Sequence, residues 1–319
     1  MPAITATAPA KIILFGEHAV VYGRPAIAVP LPQLRARAVV SADPFAPAGY
    51  IRLQAPAIGL DASLEDMPAD DPFSLGVHGV LDILGISRCP ACLIRVTSTI
   101  PIAAGLGSGA AASVVLVRAF SHFLGQPLEN RQVNDLVFKI EKVYHGTPSG
   151  IDNTVITYEQ PVFYIKDQPI QKFRIARPLT LVIADTGIPS KTAVTVGAVR
   201  SGWQADPHRY EALFDQIGRI TRQARQALET GEIDALGPLM NDNQAVLQEL
   251  GVSSPTLENL IQAARQAGAA GAKLSGGGGG GNLIALAANE TTQRISQELL
   301  AAGAASVLVS NISNTGPLE

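Results

Sequence analysis

Cysteine is almost missing from this chain: Cys89 and Cys92 are the only two among 319 residues. Their C-x-x-C spacing leaves room for one redox pair or half a zinc site. A zinc site needs two more ligands, and no H-x-x-x-H partner exists among the five histidines. A thioredoxin-type pair opens a helix, whereas Cys92-Leu-Ile-Arg-Val-Thr has the composition of a strand. Buried, reduced thiols are therefore expected. Long apolar runs are also absent. No stretch reaches 18 residues, and the N-terminus lacks the charged-then-apolar design of a signal peptide, so a soluble, cytoplasmic protein without membrane partners is expected. Neither sign of charge dominates: 24 Lys and Arg against 27 Asp and Glu give a net charge of -3, which argues against nucleic acid as a partner. With 47% apolar and 16% charged residues the chain is globular rather than disordered. In such a protein the sequon Asn311-Ile312-Ser313 is a chance match.

Hydrophobic periodicity divides the chain into two regions. In the first, residues 5–15 and 26–42 are rich in strand formers, and Leu34-Arg-Ala-Arg-Ala-Val alternates like a half-exposed strand. Val77, Val80, Leu81 and Leu84 give helical spacing from Phe73 onward, with Gly85 as the stop. A strand at 92–98 leads into a glycine-rich loop at 105–109 and then a helix over Ala110–Leu124, apolar nearly all round and so expected to be buried. A helix at 131–144 and a strand at 161–166 follow. The second region reads as a strand at 179–185, three amphipathic helices, strands at 271–275 and 282–287, a helix at 291–301 and a strand at 305–310. With the helix cluster taken as one crossover this is β-α-β-β-α-β, the split βαβ pattern. The expected class is α+β in two domains, 1–170 and 171–319, meeting in the polar stretch Lys166–Arg177. No internal repeat occurs, and six consecutive glycines are the only low-complexity run.

Four segments carry chemistry. In Pro101-Ile-Ala-Ala-Gly105-Leu106-Gly107-Ser108-Gly109-Ala110, glycines between a strand and a buried helix let backbone N–H groups and the helix dipole meet a phosphate. The G-x-G-x-x-A spacing also fits a dinucleotide fingerprint, but it lies in mid-domain and no acidic residue ends a strand about 20 residues on. A P-loop is excluded, because no G-x-x-x-x-G-K-[ST] exists. Lys273-Leu-Ser275 leads into the run Gly276–Gly281 and Asn282. Six glycines make a poor hairpin turn, so close backbone approach to a ligand is the expected reason for them. In the third segment Val133, Val137 and Glu141 share one helix ridge, which puts a carboxylate among apolar residues and calls for a cation. Asp152 follows the Pro148-Ser149-Gly150 turn. Two acids near a phosphate loop suggest one for Mg2+ and one for the nucleophile, with an N-cap role for Asp152 as the plainer alternative. Lastly, Lys11 precedes an apolar strand that ends in Gly16-Glu17-His18, three residues at a strand end where binding sites are common.

In their order, and over nearly the whole chain, these segments resemble the motifs of the galactokinase, homoserine kinase, mevalonate kinase and phosphomevalonate kinase (GHMP) superfamily. The resemblance is greatest to its mevalonate kinase branch, through Pro9–Ala26, His145–Asn153 and Asp185–Thr192. It implies the two-domain GHMP fold, with a mixed α/β N-terminal ATP-binding domain and a split βαβ C-terminal domain. It implies transfer of a phosphoryl group from ATP, with Mg2+, to the primary hydroxyl of mevalonate, in a homodimer. By the same resemblance Asp152 is the catalytic base and Lys11 the lysine beside it. Gly105, Leu106, Gly107, Ser108, Gly109 and Ala110 form the ATP loop, Glu141 binds Mg2+, and Glu17, His18 and Thr186 lie near the substrate. The sequence departs from the family at Gly109, where a metal-binding serine is usual, so Ser108 or a water is expected in that role. Gly277 and Asn282 stand where alanine and cysteine are common. Rival readings are a kinase of phosphomevalonate or of the tertiary hydroxyl, a diphosphomevalonate decarboxylase, and a ligand sensor without turnover.

Overall fold

The structure is a computed structural model and describes residues 3–102, 104–146, 148–169, 171–190 and 192–313. Two compact units interleave along the chain: one is Met1–Ala10, Pro32–Ile102 and Gly107–Glu159, and the other is Lys11–Leu31, Ala103–Leu106 and Gln160–Glu319.

Strands β1 (Ile4–Phe15) and β2 (Ala26–Ala42) pair and run through both units. In the first unit the far half of β2 pairs antiparallel with β5 (Cys92–Ser98), which lies parallel to β3 (Ile51–Ala55), and β3 pairs with β4 (Leu60–Ser63). The hairpin β3–β4 was not foreseen, although Ile51-Arg-Leu-Gln-Ala55 alternates buried and exposed as a half-buried strand does. Helix α1 (Pro72–Leu84) opens on an Asp71 cap and closes at Gly85, as the spacing indicates. Helix α2 (Ser108–Phe123) begins two residues before the expected Ala110. Eleven of its side chains are buried, from Ala110 to Phe123, and it packs on α1, α3 (Asn130–His145) and α4 (Ile151–Tyr158). The thiols of Cys89 and Cys92 are free and buried; burial pushes Cys92 up to about 12, which removes thiolate reactivity and agrees with the reading from sequence.

The second unit holds the near half of β2 with β6 (Val162–Tyr164) and β7 (Gln171–Lys172), and a four-stranded antiparallel sheet. That sheet runs β11 (Ser306–Ile312), β8 (Leu179–Asp185), β10 (Asn282–Ala287), β9 (Gly271–Ser275), in register at Ile183↔Ile284 and Lys273↔Ile284. This is the split βαβ order. Four helices, not three, precede β9: α5 (Thr192–Ala205), α6 (Pro207–Thr230), α7 (Ile233–Glu249) and α8 (Pro255–Gln266). Helix α5 escaped notice because Thr192-Ala-Val-Thr-Val-Gly is β-branched and Val199 is its one buried side chain, so the apolar stripe that betrays a helix is absent. Helix α9 (Thr292–Ala301) completes the unit. Among the described residues no helix is long and apolar enough to cross a membrane.

Helix α7 meets β9 backbone to backbone. A Cβ on Gly237 would lie 2.4 Å from the Ala270 carbonyl oxygen, and one on Gly271 2.2 Å from that of Gly237. The amide of Asn241 accepts a hydrogen bond from the Ala272 N–H at 3.2 Å, which fixes the register of this contact. Alanine in a helix interior is favoured over glycine by about 1 kcal/mol, yet here the overlap outweighs it. Gly237→Ala is expected to lower stability by about 1–3 kcal/mol, read as a fall in the urea midpoint at unchanged m-value.

Candidate functional site

In the first unit, three mutually packed helices bring Ser108, Glu141 and Asp152 into one part of the fold. Helix α3 presents Val133 and Val137 fully buried, and Glu141 continues that ridge at 8% exposure, as the spacing required. Across from it lies the first turn of α2: a Cβ built on Gly109 would have only the Glu141 Oε1 near it, at 3.8 Å. Ser108, half-buried, opens this helix, and Gly107 before it has no capping side chain, so the leading N–H groups are left for another acceptor. Ala110, one turn in, is buried in the helix packing and contributes its backbone alone. Gly105 and Gly107 both take left-handed backbone, which bends the strand exit into the helix start.

Asp152 lies in the first turn of α4, where the helix dipole favours a carboxylate. The plainer N-cap reading is corrected by the structure: the cap is Gly150, and Asp152 is the second helical residue. The helix itself went unforeseen, because Ile-Asp-Asn-Thr-Val-Ile-Thr-Tyr has the composition of a strand. It is pinned at both ends. The Asn153 amide donates to Asn134 Oδ1 at 2.8 Å, and Arg118 of α2 donates to the Thr157 carbonyl and, at 2.9 Å, to Glu159.

In the second unit, Lys11 is buried on β1 and its backbone N–H donates to the Leu106 carbonyl at 3.0 Å, which ties the strand to the glycine loop. Glu17 and His18 follow in a tight turn. Glu17 is fully enclosed, and its Oε1 accepts from the ammonium of Lys273, itself fully buried on β9. Lys273 also donates to the Leu274 carbonyl at 2.6 Å. Burial holds this lysine below the ordinary ammonium range, against the opposing pull of Glu17. Sequence reasoning gave Lys273 no role, although a lysine inside Gly-Ala-Lys-Leu-Ser, the core strand of a sheet, was a visible signal that an anion must face it.

His18 adopts a left-handed backbone, φ 59°, and its Nε2 lies 3.0 Å from the Gly277 carbonyl. Burial lowers its pKa to about 4, so the ring is neutral and Nε2–H donates to that carbonyl. Thr186, at the end of β8, donates its N–H to the Gly281 carbonyl at 2.9 Å and accepts from the Ile188 N–H at 3.2 Å. Asn282 donates to the Ala104 carbonyl, and Ser275 to the Ile13 carbonyl at 2.9 Å.

Three positions of the glycine run have no room for a side chain. A Cβ on Gly277 would meet Thr192 Oγ1 at 2.6 Å, on Gly278 the Val252 carbonyl oxygen at 2.0 Å, and on Gly280 the Ile188 carbonyl oxygen at 2.5 Å. The side chain of Thr192 and the backbone of Val252 and Ile188 occupy the space that a Cβ would need.

Comparison with known proteins places the chain in a family. The GHMP kinases N terminal domain matches residues 77–160, and the GHMP kinases C terminal domain matches 224–305. The chain is 34% identical to a mevalonate kinase of Thermococcus gammatolerans, over 98% of this chain and 97% of that protein. It is also 34% identical to one of Pyrococcus horikoshii, over 89% and 88%. Among solved structures it is similar to L. major mevalonate kinase in complex with R-mevalonate, with a TM-score of 0.83 and 30% identity, covering 98% of this chain and 97% of that one.

The depressed basicity of His18 has a definite sign. Unfolded, the imidazole takes a proton as pH falls through 6.5; folded, it does so only near 4. Its contribution to stability is complete above 6.5 and is lost between 6.5 and 4, by about 3 kcal/mol at roughly 1.4 kcal/mol per pH unit for one proton. In His18→Asn, which keeps a residue tolerant of left-handed backbone, urea midpoints should fall less steeply over that interval than in the unaltered protein.

Proposed function

The chain belongs to the GHMP kinases, and we propose that it catalyses ATP-dependent phosphorylation of the primary hydroxyl of mevalonate, giving 5-phosphomevalonate. The observation that carries this reading is identity of about one residue in three, along 98% of the chain, with proteins named mevalonate kinase. The two matched family domains lie on either side of the boundary proposed at residue 170.

The reaction needs the acceptor hydroxyl held in line with the γ-phosphoryl group and its proton taken up, with charge on the transferring group offset. Asp152 accepts that proton, and Lys11 offsets charge on the transferring group. The backbone of Gly105, Leu106, Gly107, Ser108, Gly109 and Ala110 holds the phosphates of ATP, supported by the uncapped start of α2. Glu17, His18 and Thr186 line the acceptor side.

Mg2+ characteristically takes one or two carboxylates and completes its shell with phosphate oxygens and water. Glu141 beside Gly109, with the Ser108 hydroxyl at the helix start, fits that demand. Bound there, Mg2+ supplies neutralisation of the phosphoryl oxygens. A cytoplasmic homodimer is carried forward from the resemblance.

Two outcomes are expected. In an ADP-release assay with Mg-ATP, mevalonate should exceed phosphomevalonate, galactose and homoserine by at least about tenfold in kcat/KM, or roughly 1.4 kcal/mol; faster turnover of any of the other three removes the assignment. Asp152→Asn should lower kcat by a factor of about 100 or more with nucleotide binding retained. A variant keeping over half its activity means that another group takes the proton.

A further inference from the structure

The strands that end the order of the two sheets are guarded in different ways. In the larger sheet β4 is four residues long and carries Asp61, which accepts from Arg52 at 2.7 Å. At its other end β7 has two residues, one of them Lys172. Short length and charge both blunt an edge against a further strand. In the four-stranded sheet β9 is closed by a helix: the Ala272 N–H donates to Asn241 Oδ1 at 3.2 Å and the Leu274 N–H to Gln244 Oε1 at 2.9 Å, both on α7. Two side-chain amides take the place of a neighbouring strand.

Strand β11, at the opposite end of that sheet, has none of these devices. It is seven residues long, Ser306-Val-Leu-Val-Ser-Asn-Ile312, with no charge, proline or glycine. Strand β8 takes one side of it along its whole length, and among the described residues no strand takes the other. Valine and isoleucine favour extended pairing, and Val309, at the centre, is 42% exposed. Register places Leu308 on the face of Lys273 and Val309 on the opposite one. Helix α9, which packs on β11, leaves Leu300 52% exposed, so apolar surface adjoins the edge.

A long, uncharged strand edge invites another strand. A copy of β11 meets what this edge asks for. Run antiparallel, it matches in length, brings no charge, and exchanges the same donors and acceptors about a two-fold axis. With all seven residues engaged, Ser306 lies opposite Ile312 of the partner subunit, and Val309 opposite Val309 of the partner subunit.

We propose that β11 is the surface through which two copies of this chain associate, their four-stranded sheets joined edge to edge by antiparallel β11 pairing. This rests on the homodimer carried forward above and is independent of which acceptor is phosphorylated.

Sedimentation velocity of the full chain should show a dimer. Val309→Lys and Val309→Asp should each raise its dissociation constant at least about tenfold, because like charges then meet at the two-fold axis. Mixed in equal amounts, the two variants should dimerise again, within about threefold of the unaltered protein, since the charges facing each other are then opposite. A folding defect cannot imitate that rescue. Hydrogen exchange needs no variant: on dilution of the unaltered protein below its dissociation constant, amides of 306–312 should lose protection, while those of Ala272 and Leu274, held by α7, keep theirs. A monomeric unaltered protein overturns both the homodimer and the proposal. A dimer that persists in both single variants, or a mixture that fails to dimerise, leaves a homodimer but removes β11 as its surface. Protection at 306–312 that dilution does not change means that the occupant belongs to the same chain, and it too overturns the proposal.

Discussion

A lysine ammonium with no solvent exposure sits on a core strand of the second unit, and much of the site in that unit follows from the need to neutralise it. Burying such a charge is tolerable only beside an opposite charge with further hydrogen bonds. Glu17 supplies the charge and the Leu274 carbonyl the additional acceptor. The consequence is positional. The turn after β1 is bound to β9, so that Gly16-Glu17-His18 and the segment Lys273–Asn282, more than 250 residues apart in sequence, are held together. The Asn282 amide extends the same link to Ala104, at the entrance of the glycine loop.

The first unit uses apolar packing for the same end. Helix α2 is enclosed by α1, α3 and α4, and its interior is built from alanine, valine and phenylalanine, which lets the neighbouring helices come close. Its few polar residues act at the ends. Arg118 clamps the C-terminal end of α4 through Thr157 and Glu159, while Gly109 lies on the Glu141 side of α3. At Gly109, the departure from the family pattern, a Cβ would stand 3.8 Å from the Glu141 Oε1.

The glycine run shows how one residue choice can serve two needs. Its lack of side chains admits the backbone of Ile188 and Val252 and the side chain of Thr192 at distances no Cβ would permit. The carbonyls it presents in return accept from His18 and Thr186, two of the residues proposed for the acceptor side. Close packing and site construction are here the same constraint.

The strong periodic elements were legible in the sequence: β1, β2, β5, the buried α2, the amphipathic α6 to α8, and the split βαβ order of β8 to β11 each carry a pattern that local chemistry alone enforces. Spacing also placed Glu141 on a buried ridge, since helical geometry fixes which side chains share a face. Elements without such a stripe were lost. Helix α5 is nearly all exposed and β-branched, α4 has the composition of a strand, and β3–β4 is short. What no local pattern contained was partnership. That Lys273 would face Glu17, that the glycines would meet Ile188 and Val252, and that Asp152 would lie inside a helix rather than cap it depended on segments distant in sequence arriving at the same place. Periodicity records what a residue wants from water; only the folded chain decides which neighbour supplies it.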